Sequence, residues 1–345
     1  MKKKLFDVKC PVGRTTTGIL HGKTSGVINL EGLKYQWAYD LWEKMLANTW
    51  FAKEVDMTRD ASDYKVLLPV EKKRYDRIMA QLIFMDGVQT NNTPDNVNSW
   101  ITAPEINMCI VRQAMEEALH SQAYGVMVQS ISTNTNEIFE MWREDQTLFN
   151  KNKHILDVYE KYGEIAESDD EAKIYMIVAN QCLEGIYFYS GFAGMYSFAR
   201  NGKMIGSSEM IRFIQRDEIA HLTLFANIFK EIRKEFPHLF TERVLENVRE
   251  MFKAAAELEI TWGKYITEGG ILGLSPALIE EFIKYLTNKR LEELGLPVIY
   301  EGVSTSDDRC PLPWFYSFSS FNDQKINFFE GNVVNYSKGS LDMNF

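Results

Sequence analysis

Two short stretches, EEALH at 116–120 and DEIAH at 217–221, share one form: an acid, then a glutamate with a histidine three residues after it. On a helix, positions i and i+3 lie on one face about one turn apart. Glu117 with His120, and Glu218 with His221, therefore each present a carboxylate and an imidazole together. The chain holds only five histidines, and two fall in this matched context. A single Glu-x-x-His is equally well a solvated glutamate near a surface histidine. Here each copy also follows a lone carboxylate set among apolar neighbours, Asp86 in LIFMDGVQ and Glu184 in NQCLEGIYFYSGF. An unpaired charge in such surroundings is expensive. Alone, Asp86 reads as a helix C-terminal residue facing solvent and Glu184 as half of a buried ion pair. Neither reading explains why carboxylate, helix and Glu-x-x-His occur twice. The duplication requires four helices to converge, and four carboxylates balance two divalent cations.

The rest of the chain supplies the helices. Apolar residues recur at three- and four-residue spacing near 34–47, 70–90, 104–131, 134–163, 170–201, 206–232, 241–266 and 275–294. Thr102-Ala103-Pro104-Glu105 sets a proline and an acid at a helix entrance, and Ser168-Asp169-Asp170-Glu171 does similar work. Gly202 and Gly206 bracket a short turn. No strand-rich block, Gly-rich phosphate loop or repeat is visible. Long helices suit a bundle, and one carboxylate from each of two helices with Glu-x-x-His from two others is the ligand pattern of ferritin-like two-metal proteins. The expected fold is all-α, a ferritin-like bundle holding a carboxylate-bridged metal pair at Asp86, Glu117, His120, Glu184, Glu218 and His221. Oxygen ligands with one imidazole per ion suit iron or manganese more than zinc or copper.

Composition narrows the function. With a formal charge of -10 and a pI near 5.2, the chain would repel a phosphate backbone, so nucleic acid is not an expected partner. The start has charge but no long apolar stretch behind it, so no signal peptide is expected. The most apolar run, IYFYSGFAGMYSFA at 186–199, is shorter than a membrane span of about 20 residues. It reads as a helix buried on most sides. The four cysteines are far apart with no C-x-x-C pair, which fits a reducing cytoplasm. From Cys310 onward the chain carries two prolines and then polar, glycine-containing sequence. That is poor helix material. We divide the chain into a helical domain, 1–312, and a C-terminal arm, 313–345, whose interleaved aromatics suit docking on a partner better than simple fraying.

Tyr124 follows His120 by four residues, on the same stripe. A packed tyrosine is the ordinary reading, and metal storage needs no phenol there. Phe188 and Phe192 follow Glu184 at i+4 and i+8, and Ile214 precedes Glu218 at i-4. These three sit on ligand-bearing faces, where they would wall the phenol with groups that give it no proton or electron.

NTWFAKEVDM at 48–57, MDGVQ at 85–89, EEALHSQAY at 116–124, LEGIYFYSGF at 183–192 and RDEIAHL at 216–222 carry a family resemblance. From about Trp50 to its end the chain resembles the small, radical-generating subunit of class I ribonucleotide reductase. GIYFYSGFAGMYSFARNGKMIG is most similar to the subgroup in which phenylalanine replaces the radical tyrosine and the cofactor is manganese–iron. The chain departs from that subgroup at Tyr124 and at Asp86, where the subgroup has glutamate. The resemblance implies a diiron cofactor that uses dioxygen and an external electron donor to oxidise Tyr124; manganese–iron and dimanganese pairs stay open. It implies that Trp50 and Asp217 link the site to the surface through His120. It further implies that Tyr336 passes the radical to the large subunit, that residues around Leu341–Phe345 dock there, and that the chain forms a homodimer. Glu116 receives no role. Two rivals remain: a bundle oxidase acting on a small organic substrate, which has no use for the arm, and a metal store, which has no use for Tyr124.

Overall fold

Helices dominate this computed structural model, which describes residues 3–4, 6–10, 18–132, 134–270 and 272–319. They are α1 (Gln36–Ala47), α2 (Thr58–Val66), α3 (Pro69–Asn92), α4 (Pro104–Ile131), α5 (Thr135–Glu144) and α6 (Gln146–Ala166), then α7 (Asp170–Cys182), α8 (Tyr189–Arg200), α9 (Ile205–Glu235), α10 (Glu242–Ile266), α11 (Pro276–Glu293) and α12 (Pro313–Ser319). No β-strand occurs among the described residues. Helix starts follow local chemistry. Pro104 and Pro276 stand in the first turn of α4 and α11, where a missing N–H costs nothing. Asp169 caps α7, accepting from the amides of Glu171 and Ala172 at 2.9 and 3.4 Å.

Several boundaries depart from the periodicity. The expected helix over 134–163 is two helices, because Asp145 turns its carboxylate to the amides of Thr147 and Leu148 and starts α6 afresh. The 170–201 segment is broken by a π-helical turn at Leu183–Tyr187. Gly206 does not bracket a turn but lies inside α9. Helix α2 was not foreseen, being short and polar, and Asp60 explains its use. This buried carboxylate accepts from the Gly206 and Ser207 amides at 2.9 and 2.7 Å, so α2 caps the N-terminus of α9. Residues 313–319 are also helical, with Phe315 buried against Tyr189, Tyr196 and Phe282. The helical unit thus runs on past residue 312, and the chain beyond 319 lies outside the described residues.

The ligand-bearing elements pack on one another: α3 on α4, α4 on α9, α7 on α9, with the π turn against α9 and α10. Gly194 packs closely on α3, where an added Cβ would come within 2.5 Å of Ile78 Cδ1 and make the end of that side chain shift. The π turn leaves backbone groups without regular helical partners. The Tyr187 carbonyl accepts from Gln81 Nε2 at 2.6 Å and from Lys151 Nζ at 3.0 Å. Lys151 in turn pairs with Glu259, which accepts from the Ser190 amide at 3.0 Å. Lys151 and Glu259 are both fully enclosed, and burial pushes the ammonium down and the carboxyl up against their mutual attraction.

Removing one partner strands the other's charge in the core. Lys151→Met is expected to cost about 3–5 kcal/mol. Adding Glu259→Leu should recover much of that loss. Urea denaturation followed by circular dichroism would measure both, and a double variant no more stable than the single one would contradict the account.

Candidate metal centre

Asp86 is on α3, Glu117 and His120 on α4, Glu184 in the π turn, and Glu218 and His221 on α9; all six are completely buried. They form two overlapping cages. Asp86, Glu117, His120 and Glu218 bring one ligand atom each within 4.8 Å of one another, and so do Glu117, Glu184, Glu218 and His221. Glu117 and Glu218 belong to both, the arrangement bridging carboxylates require. His120 Nδ1 lies 3.1 Å from Glu218, 3.5 Å from Asp86 and 3.6 Å from Glu117. His221 Nδ1 lies 2.8 Å from Glu218, 3.3 Å from Glu117 and 3.9 Å from Glu184.

The donor atoms fit a pair of cations. Both oxygens of Asp86, one oxygen each of Glu117, Glu184 and Glu218, and His120 Nδ1 have no hydrogen-bond partner although fully enclosed. Buried polar atoms are nearly always satisfied, so this concentration marks ligand positions. The electrostatics of the metal-free chain agree. Burial alone would push both imidazoles down, but Asp217, Asp86, Glu117 and Glu218 around His120, and Glu218, Glu117 and Glu116 around His221, hold them well above their usual range. Burial, then the charge of Glu184, pushes the Glu117 carboxyl up to about 8. Burial and the charges of Glu184 and Glu117 push Glu218 well up. Protons thus stand in for metal charge.

The outer nitrogens of the two histidines reveal a crossed pattern. His120 Nε2, from the first stripe, lies 3.3 Å from Asp217 on the second. His221 Nε2, from the second, lies 3.0 Å from Glu116 on the first. Each acid that opens a motif serves the histidine of the other motif, fixing its ring and tautomer. Asp217 was anticipated in this place. Glu116 was not, though the duplicated acid-Glu-x-x-His pattern held the signal. Arg112 Nε donates to Glu116 at 3.0 Å and supplies its countercharge.

Trp50 is buried and its indole Nε1 donates to Asp217 Oδ2 at 2.7 Å, the same oxygen that faces His120. The Trp50 and His120 rings are 6.3 Å apart and nearly parallel, and Phe213 stacks on the indole at 5.1 Å. The Tyr124 hydroxyl is buried without a hydrogen bond of normal geometry. Burial, then the charges of Asp86 and Glu218, push this phenol well above its usual range. Phe188, Phe192 and Ile214 are completely buried, the two phenylalanine rings stacked at 5.5 Å. The π turn alters the register that the i+4 and i+8 spacing assumed, since Phe188 caps the turn and Phe192 lies in α8. Tyr336 and Leu341–Phe345 lie outside the described residues. Among the described residues, no helix is long and apolar enough to cross a membrane.

Fold and site together define a helical protein with a buried carboxylate–histidine two-metal centre. The comparisons then give the family. The ribonucleotide reductase small-chain profile matches residues 27–308, and the chain belongs to that family of oxidoreductase subunits, which act with a large subunit. The ribonucleoside-diphosphate reductase subunit beta of Treponema pallidum is 38% identical over 98% of this chain and 96% of its own length. The ribonucleotide reductase R2 subunit from Clostridium botulinum is 37% identical, with a TM-score of 0.88 over 93% of this chain and 99% of that one. The dimanganese(II)-NrdF of Streptococcus sanguinis shares the fold at 21% identity, with a TM-score of 0.74 over 85% of this chain and 99% of that one.

Two outcomes follow from the cage. Divalent metal must displace the imidazole and carboxyl protons, so anaerobic Mn(II) binding is expected to release protons and to tighten as pH rises through about 8, the Glu117 value. A pH-indicator titration in weak buffer reads both, and binding without proton release would contradict the cage's charge state. Glu116→Gln should weaken metal binding about 10–100-fold by loosening His221; chelator competition measures it.

Proposed function

We propose that this chain binds two iron ions at Asp86, Glu117, His120, Glu184, Glu218 and His221, and that Tyr124 is its radical residue. Four carboxylates and one imidazole per ion favour iron or manganese, so manganese–iron and dimanganese pairs are the alternatives. The bound pair supplies one-electron oxidising power drawn from dioxygen, with an external donor completing the electron count. Everything else is the work of the chain. Tyr124 stands buried one helical turn from His120, its hydroxyl without a hydrogen bond of normal geometry and its proton held tightly. The surrounding apolar core excludes water, which favours a long-lived oxidised phenol.

The observation that carries this reading is the buried line His120, Asp217, Trp50 leading away from the cage. Asp217 is held below the usual carboxylate range: burial pushes it up, but His120, Arg216 and Trp50 outweigh that. It therefore stays charged and accepts from both rings at one oxygen. Neither a metal store nor a bundle oxidase needs such a line. In this proposal the oxidising equivalent passes from Tyr124 to Trp50, then to Tyr336 in the C-terminal arm. The last residues, around Leu341–Phe345, dock that arm on the large subunit, where ribonucleotide reduction takes place. The working unit is a homodimer of this chain in the cytoplasm, with the large subunit bound.

Loading the metal-free chain with iron(II) under anaerobic conditions and then admitting oxygen should give a stable tyrosyl signal in electron paramagnetic resonance, with about two irons per chain. Tyr124→Phe should abolish the signal and keep the metal. Full iron loading and oxidation without a radical would redirect the assignment to manganese. Trp50→Phe, and separately removal of residues 320–345, should leave Tyr124 oxidisable while lowering turnover with the large subunit to background. Undiminished turnover of the truncated chain would point instead to the oxidase.

A further inference from the structure

The two cages are not chemically equal, and the difference lies in groups outside the ligand set. Asp86 faces its cage with two oxygens that have no hydrogen-bond partner. Glu184, its counterpart, has one. Its Oε1 accepts from Gln113 Nε2 at 2.9 Å and from Gln89 Nε2, leaving only Oε2 unpartnered. Gln89 is three residues beyond Asp86 on α3, and Gln113 is four before Glu117 on α4. Both glutamines are completely buried.

The Gln89 amide cannot easily turn to offer its oxygen instead. Its Oε1 already accepts from Asn92 Nδ2 at 2.9 Å and from the Tyr159 hydroxyl at 3.2 Å. Its Nε2 also donates to Asn180 Oδ1 at 2.8 Å, and Asn180 is held in turn by donating to the Met176 carbonyl at 2.7 Å. Asn92, Asn180 and Tyr159 are themselves buried. Burial pushes the Tyr159 phenol well above its usual range, so it remains a donor. A satisfied polar network of this kind fixes every member's orientation. Its output is the Gln89 N–H aimed at one oxygen of Glu184; Gln113 Nε2 adds a second N–H there and also donates to Glu117 Oε1 at 3.2 Å. No amide donates to Asp86; the Tyr124 phenol faces it without a hydrogen bond of normal geometry.

We propose that Gln89 and Gln113 are positioning residues that occupy one oxygen of Glu184 and so make the Glu184–His221 position the weaker-binding of the two metal positions. The inference rests on the two-metal reading and adds the source of the difference between the positions. Amide donors withdraw electron density from a carboxylate and compete for its lone pairs. Besides the shared Glu117 and Glu218, a cation beside His120 meets two unpartnered oxygens of Asp86, and a cation beside His221 meets one of Glu184. Replacing one amide donor by an apolar group leaves that oxygen with a single donor and makes the carboxylate a stronger base. The metal-free protein is then less stable, because a buried oxygen has lost a partner. The metal at that position is held more tightly.

Stepwise Mn(II) binding under anaerobic conditions, by competition with a chromophoric chelator, tests this without any turnover. The wild-type chain should take up two ions, and the step lost in Glu184→Gln identifies the Glu184 position. Gln89→Leu is expected to tighten that step about 10-fold, leave the other step unchanged, and alter the electron paramagnetic resonance line shape of the Mn(II)-loaded protein. Gln181→Leu is the control. Gln181 is equally buried, but its Nε2 donates to the Leu222 carbonyl at 2.7 Å. It should lower the melting temperature and leave both steps alone. Should Gln89→Leu not fold, Tyr159→Phe removes only the hydroxyl behind Gln89 and should shift the same step in the same direction by a smaller factor. Unchanged binding in the folded variant, weakening of the Glu184 step, or an equal shift of both steps would overturn the proposal. A wild-type chain that takes up fewer than two ions would instead sink the two-metal reading itself.

Discussion

Four buried carboxylates facing one another are the constraint on which this structure turns. Asp86, Glu117, Glu184 and Glu218 are each fully enclosed, and no apolar packing offsets mutual repulsion of that kind. The chain answers with two imidazoles inside the cages and two acids behind them. The acids then need cations of their own, and Arg112 beside Glu116 and Arg216 beside Asp217 provide them. Charge alternates outward from the centre in both directions. Helix positions, crossing partners and the acids Glu116 and Asp217 behind the histidines all follow from keeping that alternation intact.

The crossed pairing of the motifs shows how one pattern serves two purposes. Glu116 and Asp217 occupy equivalent places in the two stripes, and each braces the histidine on the opposite helix. The bracing ties α4 to α9 through the centre. Only Asp217 also meets an indole, at Trp50, so the two halves diverge in use. One half is extended toward the surface by Trp50 and Phe213. The other is backed by the amide network behind Glu184. An approximately repeated scaffold has been given two unlike sides.

The π turn at Leu183–Tyr187 is the point where local and tertiary demands conflict. A continuous α-helix over 170–201 satisfies the periodicity, yet Glu184 must reach the cage. The extra residue in the turn is tolerated because Gln81 and Lys151 accept responsibility for the Tyr187 carbonyl and Glu259 for the Ser190 amide. These groups come from α3, α6 and α10, which no reading of residues 170–201 by itself contains. The missed α2 has the same cause. Its value is the carboxylate it places at the start of α9, a long-range contact over 146 residues.

The ligand set and the bundle that must surround it are legible along the chain alone. The i, i+3 spacing of Glu117 with His120 and of Glu218 with His221 puts donors on one helical face whatever the helices pack against, and Asp86 and Glu184 stand out because charge is rare among apolar neighbours. The family resemblance adds Tyr124, Trp50 and Asp217 by position. Packing alone selects which atoms of different helices meet: Glu116 with His221 rather than with its own motif, the amides of Gln89 and Gln113 on one oxygen of Glu184, and Asp60 at the head of α9. Periodicity is a property of one helix and its spacing survives in the sequence. The choice of partner across helices depends on rotation and crossing distance, and a few ångströms there change the partner without changing any pattern along the chain.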